Sequence, residues 1–100
     1  MLHVAALSVE LHLPSCHSLK DKRAVIRPVL DGARHRYGVA AAEVDHQEKW
    51  QLSGIGLVAV SGSAGHTARL LDAVERFVWS FPELEVVASR RDWMEHEGAG

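Results

Sequence analysis

The chain has 100 residues, 47% of them hydrophobic and 24% charged, with a formal net charge of −2, the make-up of one ordinary globular domain around a single core. A slightly acidic chain has no global attraction for nucleic acid, so any such contact must come from a local basic patch. Its lone cysteine, Cys16, excludes a disulfide framework and any CxxC redox or metal motif.

Residues 3–13 alternate cleanly. Ala5, Leu7, Val9, Leu11 and Leu13 point one way and Val4, Ala6, Ser8, Glu10 and His12 the other, which predicts a half-buried strand. Because this segment alternates and then meets Pro14, it has the pattern of neither a signal peptide nor a membrane span, and the expectation is a cytoplasmic protein without membrane contact. Pro14 to His17 form a loop, with Cys16 an incidental loop thiol.

Residues 18–38, SLKDKRAVIRPVLDGARHRYG, carry the strongest local signal. Apolar residues at Leu19, Ile26, Leu30, Ala33 and Tyr37, with Val25 and Val29 at the margin, follow a helical period and predict one buried stripe. Ser18 is an N-cap, and Asp21 makes a weak capping box while placing negative charge where the helix dipole favours it. Gly38 supplies a left-handed C-terminal residue. Pro28 removes the bond to the Ala24 carbonyl at a cost of roughly 3 kcal/mol; on the solvent side it predicts either a kink or a second helix beginning there. The outer face carries Lys20, Arg23, Arg27 and Arg34, interrupted by Asp31 and flanked by Lys22 and Arg36. At 1.5 Å per residue the row from Lys20 to Arg34 is about 21 Å long, suited to several phosphates of a nucleic acid. The alternative is a solvated face with i,i+4 pairs such as Arg27 with Asp31.

Residues 39–46 read as a second strand, with Ala40, Ala42 and Val44 opposite Ala41, Glu43 and Asp45. A polar connection leads to residues 52–60, apolar on both faces and therefore expected as a central strand. Gly54 and Gly56 within it predict a bulge or the close approach of another segment. Ser63 caps a second helix reaching to about residue 81, burying Leu70, Leu71, Val74, Phe77, Val78 and Phe81 and exposing Arg69, Asp72, Glu75 and Arg76. After Pro82, residues 84–93 form a fourth strand and residues 94–100 a frayed tail. The order βαββαβ predicts a single α+β domain over residues 1–93 with a ferredoxin-like fold: a four-stranded antiparallel sheet with two helices on one face and the other face open.

An RNA-recognition sheet would present stacking aromatic residues on its central strands, and neither the first nor the third strand offers one. The open face instead collects Glu10, His12, Glu43 and Asp45, a set that suggests acid–base or metal chemistry. No HxH or HxxxH spacing supports ligation, and the expectation is a polar sheet face without cofactor or metal. Ser61 to Gly65 precede the second helix and lack the lysine of a phosphate loop, so a tight turn is expected there. Trp79 is expected near the polar side of the second helix, beside Glu75 and Arg76, and Trp50 and Trp93 at strand margins, where exposed tryptophans would suit an interface.

Taken together, the first strand ending in LHLP, the SLKDKR segment, the IRPVL helix and AEVDHQEKWQ before an apolar strand resemble the YlxP-like proteins, domain of unknown function 503. The resemblance covers about residues 2 to 93 and implies a ferredoxin-like fold. It brings no catalytic residue, because the family has no established activity. It also implies genomic company: genes for translation initiation factor two, a ribosome-binding factor and a tRNA pseudouridine synthase. The combined expectation is a non-enzymatic module contacting ribosomal RNA, the ribosome or translation factors through Lys20, Lys22, Arg23, Arg27 and Arg34. The alternative is a homo-oligomeric structural or protein-interaction domain, a homodimer for instance, with no nucleic-acid role. A third reading, an enzyme using Glu10, His12, Asp45 and His46, requires those side chains to cluster.

Overall fold

The computed structural model describes the backbone of residues 1–96 and the side chains of residues 1–94. Its elements are β1 (Leu2–His12), α1 (Leu19–Tyr37), β2 (Ala40–Asp45), β3 (Leu52–Ser61), α2 (Ala64–Trp79) and β4 (Glu85–His96). The strands form one antiparallel sheet in the order β2-β3-β1-β4, so both helices pack on one face, as the ferredoxin-like reading requires. Strand β4 continues through residues 94–96, which the sequence assigns to a frayed tail; residues 97–100 of that tail lie outside the described residues.

The helix-facing rows of the two central strands are in register. Ala5, Leu7 and Val9 of β1 lie opposite Ala59, Leu57 and Ile55 of β3, and each is at most 3% exposed. Ile26, Val29 and Ala33 of α1 and Leu71, Val74 and Val78 of α2 close over them. Where the helices meet, Gly32 leaves room for the Phe77 ring: a Cβ there would fall 2.4 Å from the ring tip, so the ring would have to shift. Tyr37, Phe77 and Phe81 form an aromatic row along this seam, with ring centroids 5.5 and 5.1 Å apart, a spacing that favours tilted and edge-on contacts.

Both ends of α1 follow the sequence signals. The Ser18 hydroxyl accepts from the Asp21 N–H at 3.0 Å, and the Asp21 carboxylate accepts from His17 rather than from Ser18 at 2.9 Å. Gly38 closes the helix at φ 66°, its N–H donating to the Arg34 carbonyl. Helix α1 passes through Pro28 as one element rather than two. Pro28 and Ala24 are both exposed, so water can satisfy the carbonyl that proline leaves without a partner. Val29, expected at the margin, is fully buried, while Leu30 is only half-buried.

Candidate functional site

The buried stripe of α1 begins with a charge. Lys22 is 3% exposed, and its ammonium donates to the carbonyls of His46 (2.7 Å), Leu52 (3.2 Å) and Gln47 (3.3 Å). It also pairs with Glu43 at 3.0 Å. Glu43 in turn accepts from the hydroxyl of the fully buried Ser53 at 2.5 Å. A buried ammonium is tolerated only when its protons and charge are matched, and here three backbone carbonyls and one carboxylate do so. Two sequence expectations are corrected. Lys22 is no part of an exposed basic row, since its hydrogens are consumed inside. Glu43 is not on the open sheet face, because β2 turns it toward the helices beside Ala41. The clamp joins SLKDKR to EVDHQ, the two segments that carry the family resemblance. Gln51 reinforces the same corner by donating to the Cys16 carbonyl at 3.1 Å.

The remaining cations of α1 divide in two. Lys20, Arg23 and Arg27 are exposed and, together with Asp31, line one shallow surface over Ala24 and Pro28. None of the three has an ion-pair or hydrogen-bond partner among the described residues. Arg23 and Arg27 also border a groove of about 210 Å³ between α1 and β2, with Arg34 at its far end and the half-buried Leu30 in its wall. Arg34 is partly spent, donating to the Ala41 carbonyl through two nitrogens and pairing with Asp31 at 3.1 Å. Asp31 therefore serves Arg34 at i+3 rather than Arg27 at i−4, which leaves Arg27 open to an anion. Arg36 lies over the Tyr37 and Phe77 rings at 5.6 and 5.3 Å from their centroids, a cation–π arrangement.

On the open sheet face, β2 bulges between Glu43 and Asp45. The glycines predicted to mark a bulge lie on the partner strand and make room for it: a Cβ at Gly54 would meet Asp45 Cβ at 2.7 Å, and one at Gly56 would meet Val44 at 3.3 Å. The chain then passes through His46 at φ 57°, a left-handed conformation that histidine enters more readily than most residues. This turn brings His46 Nε2 to 2.7 Å from Glu10 on β1, while the Asp45 carboxylate accepts from the His46 N–H at 2.8 Å. The structure thus gathers Glu10, Asp45 and His46 but not His12, which faces Glu85 of the neighbouring strand β4 at 3.7 Å. Among the described residues, no group of three or more histidine, cysteine or acidic side chains is arranged to hold a metal ion.

The turn before α2 satisfies its own polar groups. Ser61 and Thr67 hydroxyls meet at 2.6 Å, and Ser63 Oγ accepts from the His66 N–H at 3.2 Å. Trp50, Trp79 and Trp93 are 54%, 60% and 46% exposed, too exposed to be core residues. Arg91 of β4 joins the sheet to α2 through Asp72 at 2.8 Å and Glu75 at 3.1 Å; partners on both sides hold the guanidinium above its ordinary pKa against the opposing effect of burial. No helix of the described residues is long and apolar enough to cross a membrane.

Residues 4–91 match the family model described as protein of unknown function (DUF503). The chain is also similar to the uncharacterized protein YlxP of Bacillus subtilis (strain 168), with 38% identity over 76 residues, which span 76% of this chain and 83% of that protein.

Proposed function

The chain belongs to the DUF503 family of proteins of unknown function, and from that premise and the geometry of α1 we propose that it is a non-catalytic module that binds structured RNA of the translation apparatus. The observation that carries this reading is the set Lys20, Arg23 and Arg27: exposed on one helical ridge and without acidic partners among the described residues. Seven residues of helix separate the first from the last, about 10 Å, a reach that suits two or three consecutive phosphates. Arg34 extends the ridge as a secondary contact, since part of its guanidinium is already occupied. Lys22 holds the ridge in place from beneath and touches no ligand. The genomic company implied by the family resemblance is what directs the reading to ribosomal RNA.

Co-sedimentation tests it. The tagged chain, expressed in a bacterial cytoplasm, should travel with ribosomal particles, lose that association on ribonuclease treatment, and lose it again when Lys20, Arg23 and Arg27 are all Ala. Association that survives both treatments would replace RNA by a protein partner; no association at all would end the reading.

A further inference from the structure

The groove between α1 and β2 lies beside the basic ridge and shares two of its cations. Arg23 and Arg27 border both the exposed surface with Lys20 and the groove itself. An anion held by their guanidiniums therefore has the groove directly next to it. Strand β2 is an edge of the sheet, with no described element beyond it to cover this flank of α1. Leu30 stays half-buried there, although its place in the helical period belongs to the buried stripe. The result is an apolar wall of Ile26 and Leu30 framed by arginines.

Size and charge limit what fits. The groove holds about 210 Å³, below the about 300–1,000 Å³ of sites that enclose a whole small molecule. It suits one flat ring system of a ligand anchored outside it. Its two ends differ. At one, Lys22 and Glu43 are engaged with each other at 3.0 Å. At the other, Asp31 is bonded to Arg34 through Oδ1 alone, and its Oδ2 has no partner among the described residues. That oxygen can accept from an N–H. Every RNA base carries an N–H donor on its Watson–Crick edge, and its flat face stacks on guanidinium planes. An apolar protein side chain would cover the wall but bring no donor to Asp31, and an acidic one would be repelled by it. An extended peptide is a poor occupant for a further reason, because Arg34 already takes the Ala41 carbonyl on this side of β2.

We propose that the α1–β2 groove receives the base of one unpaired nucleotide, whose flanking phosphates lie on Lys20, Arg23 and Arg27. The inference rests on the reading of that ridge as an RNA contact. It adds what the ridge alone does not give: a preference for a bulge or loop over a continuous duplex, whose bases stay stacked and out of reach.

Fluorescence anisotropy with two labelled RNA duplexes tests it, one fully paired and one carrying a single bulged nucleotide. The bulged duplex should bind about tenfold more tightly. The preference should hold at both about 50 and 200 mM salt, because an inserted base adds no phosphate contact. Leu30→Trp fills the groove and should erase the difference between the two duplexes without flattening the salt slope. In methyl-labelled protein, the Ile26 and Leu30 resonances should shift on adding the bulged duplex and stay in place with the paired one. That readout decides alone if the Trp variant unfolds. Equal binding of the two duplexes, with a salt slope lost when Lys20, Arg23 and Arg27 are all Ala, keeps the ridge as an RNA contact and overturns the groove. Binding of neither duplex overturns both. A bulge preference that survives Leu30→Trp, or methyl shifts of the same size with either duplex, also counts against an inserted base.

Discussion

Replacing Lys22 by Met keeps the aliphatic stem in its place and removes the ammonium. Four acceptors then lose a donor: the carbonyls of His46, Gln47 and Leu52, and the Glu43 carboxylate. Breaking a buried pair by deleting one partner costs about 3 to 5 kcal/mol. Glu43 keeps the Ser53 hydroxyl and is 21% exposed, so water can reach it, and the lower end, about 3 kcal/mol, applies. For a domain of this length the entropy of unfolding at the midpoint is about 0.2 kcal/mol/K, so Tm should fall by about 15 °C. Glu43→Gln on its own should cost less, because an amide still accepts from Lys22. Combining the two should destabilise less than the sum of the singles, with a coupling of about 2 kcal/mol. Urea and thermal unfolding of the four species measure this directly. A Lys22→Met protein within about 1 kcal/mol of the parent, or strictly additive singles, would refute the claim that this lysine is a structural clamp and would return it to the solvent-facing set.

Gly54→Ala should destabilise by about 1 to 3 kcal/mol in urea unfolding, because its Cβ would press on Asp45 and strain the bulge; Gly38→Ala, at φ 66° with open space around it, should cost only about 1 kcal/mol. Cys16 is 1% exposed, and burial, aided by Asp21 and opposed by Lys22, raises its thiol pKa. The native protein should therefore alkylate slowly with iodoacetamide at about pH 8 and quickly once unfolded. Because the folded pKa lies above the unfolded one, the thiol's contribution to stability is intact below the ordinary thiol pKa and falls away as pH rises through the raised value; the midpoint of urea unfolding, followed into the alkaline range in the parent and in Cys16→Ala, measures it.

Much of this molecule is legible in its residues, for physical reasons that differ by element. Helix α1 announces both ends, since Ser18 and Gly38 satisfy backbone groups that any helix leaves open. The alternation of β1 places its buried row correctly at every position from Ala5 to Leu13. Lys22 is the instructive miss. At 100° per residue it stands within about 40° of Ile26, Val29 and Ala33, the centre of the buried stripe. Its angular position was available, but its charge directs a reading toward solvent. Only the tertiary return of residues 43–52 supplies the acceptors that let an ammonium stay inside. The glycine signal in β3 was correct in kind, while the bulge it accommodates belongs to the neighbouring strand. The Glu10–His46 contact, between residues 36 apart, depends on that bulge and leaves no periodic trace in the sequence. The position of Arg34 on the outer face is also helical arithmetic, yet its bond to the Ala41 carbonyl requires the strand after Gly38 to fold back.

Fluorescence anisotropy with a labelled fragment of ribosomal RNA, at two salt concentrations, tests the functional account most directly. With Lys20, Arg23 and Arg27 as the principal phosphate contacts, log Kd should rise with log salt at a slope of about 2.1 to 2.7, a loss of roughly 20- to 40-fold in affinity between about 50 and 200 mM salt. Changing all three to Ala should flatten that slope while leaving Tm within a few degrees of the parent. Binding insensitive to salt, or an unchanged slope in the triple variant, would contradict an anionic partner on α1.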